Sequence, residues 1–146
     1  MLDKNEQIPI LKGRCVVKGV RTGTALVLTR SISAFGGIDP FTSKIIESRH
    51  PQKGESVKRK ILIFPHGKGS SGFSLYFHML RLTGNAPRAM IIEKINSLTA
   101  LAAVVSEIPT IGGPFEENKN PIETIQTGDK ILVDATKGCV FRLAEE

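Results

Sequence analysis

The sequence predicts an α/β domain spanning residues 1–146, a barrel-like sheet with two helices packed against it. Three observations carry that expectation. Runs rich in valine, threonine and isoleucine stand near both ends of the chain, at 13–29 and 130–143. Between them, the apolar run Ile61–Phe64 leads through a glycine loop to Phe73, Tyr76, Phe77 and Leu80 at helical spacing. Residues 89–111 repeat the alternation as strand, helix and strand.

Taken in order, residues 13–29 read as a hairpin of two strands joined around Gly19 to Gly23. Ser31 to Pro40 reads as loop, because Gly36-Gly37 admits backbone conformations closed to other residues and Asp39-Pro40 marks a turn. Residues 41–56 continue irregularly, with a turn at His50-Pro51. A loop this long in a small domain is usually functional. The first helix is expected from Ser70 to about Thr83, with Gly84 as its stop. Ala89–Ile92 is a buried strand, and Asn96-Ser97 caps a second helix from Leu98 to about Val105. Pro109 ends it, Ile108–Ile111 forms a short strand, and 112–121 is a polar loop. The chain closes on a hairpin, Lys130–Asp134 and Cys139–Leu143, turning at Thr136-Lys137-Gly138.

With 40% hydrophobic residues in 146, the chain is long enough to bury a real core. No stretch approaches the roughly 18 apolar residues of a membrane span. The N-terminus, MLDKNEQIPI, is too polar for a secretory leader, so the expected location is cytoplasmic, with no membrane partner. The net charge of +6 raises the possibility of nucleic acid, but its distribution argues against it. Lys53, Lys58, Arg59 and Lys60 form the one dense cluster, Glu55 interrupts it, and no aromatic residues are interleaved. A protein partner of opposite charge accounts for the excess as well. Cys15 and Cys139 each lie in a strand-like run and read as buried small hydrophobes. Two distant cysteines do not supply a metal or iron–sulfur site, so no metal is expected on this chain.

The chemistry-bearing stretch is Gly67-Lys68-Gly69-Ser70-Ser71. It is not a Walker A loop: Lys68 lies between two glycines, and Ile63 stands where that motif needs its first glycine. A helix starting at such a loop aims free N–H groups and a positive dipole end into it, and Lys68 adds a full charge. The arrangement suits an anionic substrate or a serine held near its oxyanion form. From the residues alone, Ser70 is either an N-cap or a reactive, ligand-binding serine, and a non-catalytic module binding a phosphorylated metabolite also fits.

Further motifs follow in order: Gly36-Gly37-Ile38-Asp39-Pro40, His50-Pro51 with Gly54 and Ser56, Phe64-Pro65, Ala86-Pro87, Ile108-Pro109 and Thr127-Gly128-Asp129. In these and in the Gly67–Ser71 loop the chain resembles the small subunit, or swivelling domain, of aconitase X. The resemblance implies the swivelling β/β/α fold of the aconitase C-terminal domain. It also implies a hydro-lyase assembled with a large catalytic subunit that carries an iron–sulfur cluster. The family's serine base falls on Ser70; Gly67, Lys68, Gly69, Ser71, Gly36, Gly37 and Asp39 bind substrate or support the site. The base would take a proton next to a carboxylate while the cluster acts as Lewis acid on the departing hydroxyl. The partner is expected over loops 35–56 and 65–71, which read as serving no core.

Two positions depart from the family pattern: His66 replaces a small residue, and Thr42-Ser43 replaces the commoner Thr-Gly. Archaeal two-subunit members, which like this chain pass from the second helix straight into Ile-Pro, dehydrate phosphomevalonate in an isoprenoid pathway. Bacterial relatives dehydrate cis-3-hydroxy-L-proline. The direct passage favours the first substrate.

Overall fold

The computed structural model describes residues 8–34, 36–69 and 72–144. Among them the chain forms β1 (Leu11–Lys12), β2 (Arg14–Val17), β3 (Val20–Val27), β4 (Ile32–Ser33), β5 (Ile61–Phe64), β6 (Gly67–Lys68) and α1 (Gly72–Leu82). There follow β7 (Ala89–Ile92), α2 (Ser97–Ser106), β8 (Thr110–Gly112), the short α3 (Pro121–Thr124), β9 (Lys130–Asp134) and β10 (Cys139–Arg142). Eight strands make one mixed sheet in the order β1-β10-β9-β3-β5-β7-β8-β2, and β4 pairs with β6 apart from it.

β3, β5, β7 and β8 run parallel, Ile61 of β5 lying between Ala25 of β3 and Ala89 of β7. Their apolar runs are unbroken because both faces of these strands are covered. Ala25, Val27, Ile61, Ile63, Ala89 and Ile91 point inward with Leu11, Ile131, Val133 and Val140. Leu26, Leu62, Phe64, Met90 and Ile92 point outward against Phe73, Phe77 and Leu80 of α1 and Ala102 and Ala103 of α2.

The two edge strands are consecutive in sequence. β1 pairs with β10 and β2 pairs with β8, so Gly13 alone carries the chain from one edge of the sheet to the other. Its N–H donates to the Gly138 carbonyl at 2.8 Å. A Cβ on Gly13 would sit 2.7 Å from the Gly112 oxygen and 2.7 Å from the Phe115 ring. The sheet is thereby nearly closed, as the barrel-like expectation required.

The helix ends follow their caps. At the end of α1, Asn85 N–H donates to Leu80 and Gly84 N–H to Arg81, with Gly84 at φ +76°, a Schellman arrangement. At the start of α2, Asn96 accepts from the Thr99 N–H at 2.9 Å and Thr99 Oγ1 accepts from the Asn96 N–H, a capping box.

Four expectations are corrected. Residues 13–29 do form two strands, but β2 and β3 do not pair as a hairpin: the chain turns a corner at Gly19 (φ +141°), and β3 continues through Gly23 to pair with β9 and β5. The segment between β4 and β5 does serve the core, since Ala34, Ile38, Ile45 and Val57 are each 1% exposed or less. Cys15 is exposed and Cys139 half-buried, so they are not core hydrophobes. Ile32-Ser33 and Gly67-Lys68, read as loop, pair with each other as β4 and β6, and β1 and α3 were not anticipated.

The seam yields a matched pair of expectations. Gly84 and Gly138 share positive φ, +76° and +73°. Nothing lies within 4 Å of a Cβ on Gly84, whereas one on Gly138 would meet the Gly13 oxygen at 2.2 Å. Gly84→Ala is expected to cost about 1–2 kcal/mol for the left-handed backbone alone. Gly138→Ala adds a clash of about 1–3 kcal/mol, measured as the difference between the two urea-unfolding midpoints.

Candidate active site

β5 delivers the chain to the carboxyl edge of the parallel strands. There the Phe64 carbonyl accepts from the Glu93 N–H (3.1 Å) and the Pro65 carbonyl from the Lys94 N–H (2.9 Å). His66 is exposed, and its carbonyl accepts from the Ile32 N–H at 3.3 Å. β6 then lies parallel to β4, with Gly67 opposite Ile32 and Lys68 opposite Ser33.

Gly67 is buried, and a side chain there is excluded: its Cβ would fall 2.6 Å from Thr99 Cγ2 and 2.7 Å from the Phe73 ring. The Gly67 carbonyl accepts from Asn96 Nδ2 at 3.1 Å, tying the loop to the start of α2. Gly69 has φ +113°, a conformation that glycine adopts freely. Ser70 and Ser71 lie outside the described residues, and α1 is described from Gly72.

A residue without an assigned role in the sequence organises the other side of the loop. Glu47 Oε1 accepts from the Ser33 N–H at 3.0 Å, and Glu47 Oε2 stands 3.2 Å from Lys68 Nζ. The Gly37 carbonyl in turn accepts from the N–H groups of Ile46 (2.8 Å) and Glu47 (3.2 Å). Gly37 has no room for a side chain, because its Cβ would lie 1.7 Å from the Ser33 carbonyl oxygen. Gly36 beside it is exposed at φ +72°. The fold therefore brings Gly36, Gly37, Gly67, Lys68 and Gly69 together, and Lys68 carries a carboxylate partner instead of a free charge.

Asp39 stands in the turn that follows Gly37. Its Oδ1 accepts from the Phe41 N–H at 2.9 Å, and that bond holds its carboxyl below the usual carboxylate range. It works as a turn cap. The two departures from the family pattern are also resolved. Ser43 takes φ +65°, where glycine is easiest, and its hydroxyl meets that of Ser56 at 2.5 Å. Among the described residues the His66 ring makes one long contact, Nδ1 to the Gly67 oxygen at 3.4 Å.

No group of three or more His, Cys, Asp or Glu side chains converges into a metal site among the described residues. The described side chains do not fit the ligand set of an iron–sulfur cluster, and no step is assigned to one on this chain. No helix among them is long and apolar enough to cross a membrane.

A nearly closed mixed sheet, two helices on one outer face and a glycine–lysine–glycine loop leading into α1 define a swivelling domain. Residues 10–141 match the aconitase X swivel domain family, and the chain belongs to it. The phosphomevalonate dehydratase small subunit of Methanocella arvoryzae is 42% identical over 130 residues, covering 89% of this chain and 96% of that protein. The protein of the same name from Thermococcus sibiricus is 41% identical over 128 residues, covering 88% and 94%. In structure the chain is similar to the crystal structure of Thermococcus kodakaraensis aconitase X in its holo-form (TM-score 0.85, 34% identity, 92% of this chain and 98% of that one).

Glu47→Ala strands the half-buried Ser33 N–H and is expected to cost about 1–3 kcal/mol. Glu47→Gln keeps an acceptor there and loses only the ion pair, about 0–1 kcal/mol. Urea unfolding of the two variants checks the order. For the thiols, burial pushes Cys139 above its ordinary pKa. Iodoacetamide at neutral pH is therefore expected to alkylate exposed Cys15 first, as peptide mass spectrometry will show.

Proposed function

We propose that this chain is the small subunit of a two-subunit dehydratase that converts (R)-5-phosphomevalonate to trans-anhydromevalonate 5-phosphate. The observation that carries this reading is the 42% identity to a phosphomevalonate dehydratase small subunit across 96% of that protein's length. The large subunit is its partner, seated over the edge formed by residues 36–56 and 65–69. That edge exposes Phe41 (72%) and Ile46 (46%), two large apolar side chains suited to being covered. The iron–sulfur cluster that the family implies is assigned to the large subunit.

In this reading Ser70 takes the proton from the carbon next to the substrate carboxylate. The hydroxyl on the adjoining carbon leaves with its bonding electrons and makes water with that proton, and a double bond remains between the two carbons. A serine of ordinary acidity is a poor base, so its oxyanion needs a local field. The first turn of α1 supplies N–H groups and the positive end of a helix described over 11 residues. Lys68 contributes less than a free lysine, because Glu47 offsets its charge at 3.2 Å. Gly67 and Gly69 let the backbone come close to an anionic substrate, while Gly36 and Gly37 shape the facing wall.

The test is turnover by the complex reconstituted anaerobically with the large subunit. Ser70→Ala is expected to leave the fold intact and to lower the rate by about a hundred- to ten-thousand-fold. A serine that only caps α1 gives a different result: a loss of about 1 kcal/mol of stability with turnover largely unchanged. Ser71→Ala is the neighbouring control and is expected to matter less to rate.

A further inference from the structure

Beside the reaction loop, the carboxyl ends of β7 and β8 open into a cleft of about 480 Å³. One wall is residues 93–95 and the other 113–120. Gly112 and Gly113 let the walls meet, since a Cβ on Gly112 would lie 2.1 Å from Ile95 Cγ1 and one on Gly113 2.1 Å from the Glu93 oxygen. Ile95 and Phe115 give an apolar lining, and Lys94, Lys119, Asn118 and Asn120 also line the cleft. The lining is polar and apolar in about equal measure, and placed polar groups are what orient a small molecule in such a cleft. The polar loop 112–121 thus acquires a place that the reaction loop does not give it.

The cations fit a monoester better than a polyphosphate. Lys94 is exposed and makes no ion pair among the described residues. Lys119 Nζ lies 3.4 Å from Glu117 Oε2 and donates to the Ile10 carbonyl at 3.3 Å, exposed contacts of little net strength with which a phosphate dianion competes. Glu93 also lines the cleft and Glu117 is paired with Lys119, so Lys94 is the lining cation without a carboxylate partner among the described residues. Asn120 spends Oδ1 on the Ile122 N–H at 2.8 Å, which leaves its amide NH₂ as a donor.

The cleft and the reaction loop form one hydrogen-bonded unit, through Lys94 N–H to Pro65 at 2.9 Å and Asn96 Nδ2 to Gly67 at 3.1 Å. Ligands of parallel sheets gather beyond the carboxyl ends of the strands. Neighbouring strands are about 4.8 Å apart, so the cleft lies one to two spacings, roughly 5–10 Å, from the end of β5. A five-carbon phosphate ester bridges such a span. Lys68 is already matched by Glu47, so the phosphate requires another cation.

We propose that this cleft holds the phosphate end of the substrate, with Lys94 and Lys119 as its cations and Asn118 and Asn120 as neutral donors. The assignment rests on the phosphomevalonate reading above. In the reconstituted complex, the double variant Lys94→Ala/Lys119→Ala is expected to raise KM for phosphomevalonate about ten- to a hundredfold while kcat stays within a few-fold. Lys94→Arg in place of Lys94→Ala should restore most of the loss. An unchanged KM in the double variant, shown folded by its unfolding midpoint, overturns the assignment. If the wild-type complex does not turn over phosphomevalonate, the functional reading fails instead. Inorganic phosphate titrated into the ¹⁵N-labelled full chain then decides the cleft. Shifts at residues 93–95 and 118–120 that vanish in the double variant support a phosphate site, and their absence overturns it.

Discussion

Residues 11–17 belong to both ends of one sheet. β1 extends β10, β2 extends β8, and the single residue between them has no side chain to fit into the crowded junction. Because the chain passes directly from one edge to the other, the sheet must curve until the edges meet. It encloses Leu11, Ile61, Ile63, Ile131, Val133 and Val140 as it does so. Closure leaves little edge for another chain to pair with. It also sets the curvature that gathers the carboxyl ends of β5, β7 and β8 at one rim, where the loop into α1 and the neighbouring cleft are built.

The parts of the fold governed by local chemistry were legible in the sequence. Ile61–Phe64 and Ala89–Ile92 are apolar without alternation because helices cover one face and the closed sheet the other. Gly84 and Asn96 mark helix ends through their own hydrogen bonds. What depends on distant partners was not legible. Residues 13–29 contain two strands whichever strands they pair with, and only closure assigns β2 to β8. The same run of residues gives no sign that β2 is an edge strand, so the exposed face of Cys15 went unread. β1 and α3 are shorter than any period they could display.

The candidate site was legible as a glycine loop before a helix, and incompletely beyond that. Several residues that mark the family hold its architecture. Thr127 Oγ1 accepts from the Val27 N–H at 2.9 Å, the Pro109 carbonyl accepts from the Met90 N–H, and the His50 ring accepts from the Gln52 N–H at 3.0 Å. Asp39 belongs with them. Glu47, which ties three segments together, sits in an irregular stretch where neither spacing nor composition distinguishes one glutamate from another.

The chain passes from β5 to β7 through α1 and from β7 to β8 through α2, but from β3 to β5 through an irregular segment. That segment covers its share of the sheet with Ala34, Ile38, Ile45 and Val57. Isolated bridges at Ile38–Ile45 and Lys44–Ser56 hold it, along with side chains such as Asn85, which donates to the Pro40 carbonyl at 2.9 Å. Such a segment has no helical ladder, and segments of that kind are expected to open at a lower free energy than the strands beneath them. Gly37, Glu47 and Lys68 are linked in series across it, so each opening separates the lysine from its counter-charge. The net charge that Lys68 presents beside the helix therefore depends on a segment held by turns and isolated bridges, and not on the barrel strands alone.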